Sequence, residues 1–141
     1  MNRFEGGCHC GNLKIVFESA RAAAELPVRA CGCPFCRAHG ALSISDPQGR
    51  VTFTARDPAL VNRYRFAFKT ADFLICRQCG VYAGAAIETA RGAFAIVNAR
   101  ALDGAADFTQ AAREISYDAE NAEERIARRE RNWTPLVDRA R

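Results

Sequence analysis

A mainly β fold is predicted by three features of the sequence. Apolar and polar residues alternate in short runs between Asn12 and Val97, turns are built on Asp-Pro pairs, and three cysteine clusters are flanked by glycine. At 141 residues the chain has the length of one domain, and a domain of that size hides roughly 68–70% of the surface its unfolded chain exposes. Residues 1–141 are read as a single domain, with 118–141 as a helical C-terminal extension.

The elements follow in order. Leu13, Ile15 and Phe17 alternate with Asn12, Lys14 and Val16, Val51 and Phe53 with Thr52 and Thr54, and Tyr64, Phe66 and Phe68 with Arg65, Ala67 and Lys69. Such period-two runs predict half-buried antiparallel strands, because successive side chains leave a strand on opposite faces. Phe94 to Ala99 is a further short strand. Asp46 to Gly49 and Arg56 to Ala59 are turns. Pro34, its φ already near the helical value, opens a short helical turn containing Phe35 to His39. Asn121 and Glu124 have capping-box spacing, which starts a helix over NAEERIARRERN. Within it Glu124 and Arg128 are spaced as an i,i+4 pair. The apolar stripe, Ala122 and Ile126, is thin, so the helix is expected to be exposed and docked by few contacts, with Trp133 anchoring the tail.

Composition excludes several classes. No apolar run approaches the ~20 residues that span a bilayer, and the stretch before the first cysteines has no apolar segment of the secretory kind. Seven cysteines without such a segment point to thiols in a reducing cytoplasm rather than to disulfides. The net charge of +4 is carried by 18 Arg and 2 Lys, below the density of a dedicated nucleic-acid binder. The zinc deaminase pattern needs His-x-Glu, whereas His9 and His39 are followed by Cys-Gly and Gly-Ala. A thioredoxin-like role for Cys33-Pro-Phe-Cys36 would need a βαβ setting, against the strand pattern.

The cysteines lie in three clusters: Cys8 and Cys10; Cys31, Cys33 and Cys36; Cys76 and Cys79. A Cys-x-x-Cys turn lets two sulfurs face one ion while backbone N–H groups donate to them, and soft thiolate donors favour zinc. Spacing permits two divisions. Cys33, Cys36, Cys76 and Cys79 would form one closed site and leave three cysteines over. Alternatively, Cys8, Cys10, Cys76 and Cys79 close one site while Cys31, Cys33 and Cys36 form a second with three ligands. The second division is preferred because it uses every cysteine, and it pairs a structural four-ligand site with the three-ligand arrangement of catalytic zinc. His39, three residues beyond Cys36, is spaced to close the trio instead, which would make both sites structural. His9, between two ligands, is expected to point away from the metal.

Taken together, GGCHCGNLKIVF, CGCPFCRAHGAL and CRQCGVYAG, in this order, resemble the glutathione-dependent formaldehyde-activating enzyme family, which includes centromere-associated relatives. The three motifs cover Gly6 to about Ala86, and IVNARALD resembles the strand that follows. The resemblance implies small antiparallel sheets on a zinc scaffold, a β-tent, with two zinc ions per chain. It assigns Cys8, Cys10, Cys76 and Cys79 to a structural zinc and Cys31, Cys33 and Cys36 to a catalytic one. It also implies a carbon–sulfur lyase activity, the reversible addition of glutathione or a similar small thiol to formaldehyde or another small aldehyde.

A zinc held by three thiolates is a weak Lewis acid that suits a fourth, soft ligand, and a bound thiolate stays nucleophilic where a free thiol of pKa about 8.5 is mostly protonated. His39 and Tyr82, with Asn98, are the candidates for carrying protons. Arg37 or another arginine is a candidate for offsetting the site's negative charge or meeting a substrate carboxylate. The rival reading is a non-catalytic zinc scaffold that binds a protein or nucleic acid, with Arg125 to Arg131 as its contact.

Overall fold

The computed structural model describes residues 1–140. In chain order the elements are β1 (Asn2–Gly7), β2 (Leu13–Ser19), β3 (Arg29–Cys31), α1 (Pro34–His39), β4 (Ser43–Ile44), β5 (Arg50–Ala55), β6 (Val61–Tyr64), β7 (Asp72–Cys76), β8 (Tyr82–Thr89), β9 (Gly92–Asn98), β10 (Arg113–Ile115), α2 (Ala122–Asn132) and β11 (Thr134–Arg139). The fold is mainly β, as the alternation predicts. Most strand pairs are antiparallel, and two are parallel, β3 with β10 and β5 with β11.

The alternation in β2 is realised residue by residue. Leu13, Ile15 and Phe17 are fully buried, and Val51 and Phe53 of β5 meet them across the register Ile15–Phe53 and Phe17–Val51. Burying each such side chain contributes ~1.5–3 kcal/mol. This cluster continues through Leu26, Ile44, Leu74 and Val97 and forms the main core. A second cluster gathers Cys36, Phe73, Tyr82, Ile87, Ile96 and Trp133. It forms one wall of a cavity beside Cys31, Cys33 and Cys36.

The strands run in the order β1-β2-β5-β11-β9-β4-β3-β10, with β8, β7 and β6 branching from β9. β11 joins the two halves. Thr134 and Pro135 pair with Ala95 and Phe94 of β9, and Leu136, Asp138 and Arg139 pair with Val51, Thr52 and Phe53 of β5. The C-terminal residues therefore hold a helix and then a strand in the interior of the sheet. Trp133, 3% exposed, links them.

One predicted strand is replaced by a turn. β6 ends at Tyr64, and Ala67 and Lys69 adopt φ of 54° and 55°. The alternating aromatics of this run do not line a sheet face. Phe66 packs on Phe35 and Phe73, with ring centroids 5.1 and 4.6 Å away. Phe68 lies under the guanidinium of Arg125 at 4.7 Å. Among the described residues no helix is long and apolar enough to cross a membrane.

Candidate metal centres and the cavity beside them

Cys8 and Cys10 follow β1, while Cys76 ends β7 and Cys79 lies in the turn before β8. The four sulfurs lie within 4.8 Å of one another, with Cys8–Cys10 at 3.6 Å and Cys10–Cys76 at 3.5 Å. Four thiolates around one tetrahedral zinc, at Zn–S ≈ 2.3 Å, would be about 3.8 Å apart, so the donor set fits that ion. Two similar turns produce it. Gly11 N–H donates to the Cys8 carbonyl at 3.1 Å, and Gly80 N–H donates to the Cys76 carbonyl at 2.9 Å. Both glycines adopt positive φ, 84° and 82°, a conformation that side-chain-bearing residues resist. Leu13 N–H reaches the Cys8 sulfur at 3.1 Å and Cys79 N–H the Cys76 sulfur at 3.4 Å. His9 is exposed and stands outside the sulfur group.

The second group holds Cys31 at the end of β3, Cys33 at the N-cap of α1 and Cys36 inside the helix, with all three sulfurs within 4.8 Å of one another. Pro34 opens the helix, and the Cys33 sulfur accepts from Cys36 N–H at 3.3 Å. Hydrogen bonds from the Cys31 and Cys36 thiols pull Cys33 down to about 2. The same proton sharing pushes Cys31 and Cys36 up. Among the described residues no histidine or carboxylate joins this trio. His39 is exposed, with its ring 4.6 Å from that of Phe35 and 5.5 Å from that of Tyr82.

The trio lines a cavity of about 440 Å³, within the ~300–1,000 Å³ range of small-molecule sites. Phe66, Phe73, Ile96 and Trp133 give it apolar walls. Tyr82 also lines it and is 3% exposed. Burial, with the negative charge of Cys36 and Cys33 beside it, raises the Tyr82 hydroxyl well above the usual phenol value. Asn98 is occupied elsewhere. Its amide donates to the Tyr82 carbonyl at 2.9 Å and accepts from Leu42 and Arg100 N–H at 3.3 and 3.2 Å. Arg37 is exposed and does not line this cavity.

Four arginines do line it: Arg29 of β3 and Arg125, Arg128 and Arg129 of α2. The helix forms as its sequence predicts, with both capping-box bonds made between Asn121 and Glu124. Arg125, Arg128 and Arg129, however, turn inward, while Arg131 is exposed. Arg128 pairs with Glu120 at 2.7 Å, not with Glu124, and Arg125 joins the same carboxylate at 3.3 Å. The positions 125, 128 and 129 are i, i+3 and i+4, one face of a helix. That spacing was present in the sequence as the signal that these arginines act together.

Glu120 is 18% exposed, and its partners Arg125 and Arg128 are 14% and 12% exposed. Burial alone would raise its carboxyl, but the hydrogen bond and charge of Arg128, then of Arg125, hold it below its usual value. A depressed carboxyl stabilises the fold fully above its unfolded-state pKa, and that contribution is lost as pH falls through the folded value. Glu120→Gln is expected to cost about 2–3 kcal/mol at neutral pH, because it strands two largely buried cations. The gap to the unsubstituted protein in thermal melts should narrow as the buffer is made acidic. A gap independent of pH would show that the ion pairs contribute nothing.

A Rhodobacter sphaeroides protein of known crystal structure is similar to this chain, with 26% identity and a TM-score of 0.59, over 79% of this chain and 99% of that one. No curated protein matches the chain. The family model described as glutathione-dependent formaldehyde-activating enzyme matches residues 3–118, a stretch that holds both sulfur groups but ends before α2. With most of its length matched and its seven cysteines folded into a four and a three, the chain belongs to the glutathione-dependent formaldehyde-activating enzyme family.

Proposed function

We propose that the chain is a zinc-dependent carbon–sulfur lyase of the cytoplasm, one that catalyses the reversible addition of a small thiol to a small aldehyde. The observation that carries this reading is the cysteine trio on the wall of a ligand-sized cavity, with no histidine, carboxylate or further cysteine joining it among the described residues. Cys8, Cys10, Cys76 and Cys79 would hold one zinc as a structural tie, and Cys31, Cys33 and Cys36 a second. When bound at the trio, zinc supplies Lewis acidity and favours the thiolate form of a substrate thiol.

The rest is done by the chain's own side chains. In the addition, the thiol sulfur bonds to the carbonyl carbon, the C=O π pair moves to oxygen, and the proton lost by the thiol is balanced by the one the oxygen gains. Tyr82 lines the cavity beside the sulfurs, and its raised hydroxyl keeps its proton at neutral pH. It is the donor to the developing oxyanion. The apolar ring walls exclude water, which strengthens that hydrogen bond. His39 does not line the cavity.

The test combines zinc content with a panel of thiols and aldehydes assayed for hemithioacetal formation by NMR. Two zinc ions per chain and turnover above the uncatalysed rate are expected. Tyr82→Phe should keep both metals and lower kcat by ~10²-fold. Saturated metal with no turnover across the panel would favour the scaffold reading.

A further inference from the structure

Part of the cavity wall comes from beyond the family-matched residues, from α2 and the Trp133 that follows it. Its cations are not equivalent. Arg125 and Arg128 share Glu120, whereas Arg129 has no acidic partner among the described residues. Arg129 is 8% exposed. Its Nη1 donates to the Thr70 hydroxyl at 3.0 Å and its guanidinium lies over the Trp133 ring at 4.8 Å. Its Nε is buried with no acceptor among the described residues, and so are Nε of Arg29 and Nε1 of Trp133. All three residues line the one cavity. Arg29 is otherwise held by the Ser45 hydroxyl, at 2.6 Å. The acidic residue on the lining, Asp118, is exposed.

Buried donors without acceptors are rare in folded proteins, and charged ones are the most costly. Three residues with such donors line one ligand-sized cavity together, and two of them are cations, which describes a place for an acceptor with negative charge. The remaining lining is largely aromatic and aliphatic, which describes the body that such an acceptor is attached to. We propose that the cavity binds a substrate carrying a carboxylate on an apolar body, with Arg129, Trp133 and Arg29 taking the carboxylate while the reacting group meets the cysteine trio. The thiol–aldehyde reading is needed only for the chemistry at the sulfurs. Ligands that contain neither thiol nor aldehyde test carboxylate recognition by itself, so either idea can fail alone.

Trp133 is the chain's one tryptophan, so its fluorescence reports binding directly. The purified full chain is titrated with 3-phenylpropionate and with the neutral 3-phenylpropionamide. The acid should bind at least ~10-fold more tightly, the value of a charge-assisted hydrogen bond. Arg129→Gln should bring the acid-to-amide ratio close to one, and Arg129→Lys should restore part of it. An arginine with a merely structural role would weaken both ligands alike. Equal binding of acid and amide, binding of neither, or an unchanged ratio in Arg129→Gln overturns the proposal. Should Arg129→Gln fail to fold, the ratio in the unsubstituted chain and in Arg29→Gln decides. In turnover, 3-mercaptopropionate against 3-mercapto-1-propanol and 4-carboxybenzaldehyde against benzaldehyde show which substrate carries the anion. A lower KM for the acid is expected in one of these pairs, and in neither pair if the proposal is wrong.

Discussion

Cys33→Ser is expected to abolish adduct formation while leaving the protein folded. The substitution separates two roles of one side chain. The Cys33 sulfur caps α1 by accepting Cys36 N–H, and a serine hydroxyl is among the best acceptors for that position. The helix should therefore start where it does now. The proposed metal-binding role would be lost, because an uncharged hydroxyl is a poor replacement for a thiolate and only two sulfurs remain. Loss of a partner outside the ligand shell already costs 10–100-fold in metal affinity or activity, so removing a ligand should cost at least ~100-fold in kcat/KM. Metal analysis should fall from two zinc ions per chain to one, with the far-UV circular dichroism unchanged. Retained turnover with one metal would move the chemistry away from the trio.

How much of this could be read from sequence depended on whether the signal was local. The three cysteine clusters were legible because each is a short local turn, as at Gly11 and Gly80, whereas spacing left open which clusters share an ion, and the count of seven and the family resemblance chose the division. The strands of the core were legible because Leu13, Ile15 and Phe17 bury at the period that their spacing demands. Tyr64 to Phe68 misled for the same reason. Aromatics two apart also fit a turn that lays them over a cavity, and only tertiary contact with Phe35, Phe73 and Arg125 distinguishes the two. The inward arginines of α2 needed long-range information of another kind. Their target is a cavity assembled from β3, α1, β8 and the turn after β6, and nothing in RIARRER states which face meets it. The position of β11 was hidden likewise, since its partners Phe94 and Val51 are some 40 and 85 residues away in the chain.

Cys76→Ser should have the opposite outcome to Cys33→Ser, with the fold lost rather than the activity alone. Cys76 is 1% exposed and belongs to the main core cluster. Its sulfur lies 3.5 Å from that of Cys10, across 66 residues of sequence. A zinc held by the four sulfurs would thus fasten the β1–β2 hairpin to the β7–β8 turn. Structural zinc sites in small peptides have apparent binding energies of ≈ 10–16 kcal/mol, as large as the whole stability of an ordinary domain, 5–15 kcal/mol. Losing one ligand of four forfeits much of that and leaves a hydroxyl in an apolar setting. Far-UV circular dichroism should show lost strand signal, and amide exchange should become fast in β1, β2, β7 and β8 first. Chelation should act in two stages, since the trio borders a cavity and offers an ion three sulfurs, whereas the foursome offers four, two of them buried in the core. The accessible zinc should leave early, taking activity with it, and the second should leave only as the protein unfolds. If Cys76→Ser melts at the temperature of the unsubstituted chain, the foursome is not a structural tie, and the division of labour between the two sulfur groups is wrong.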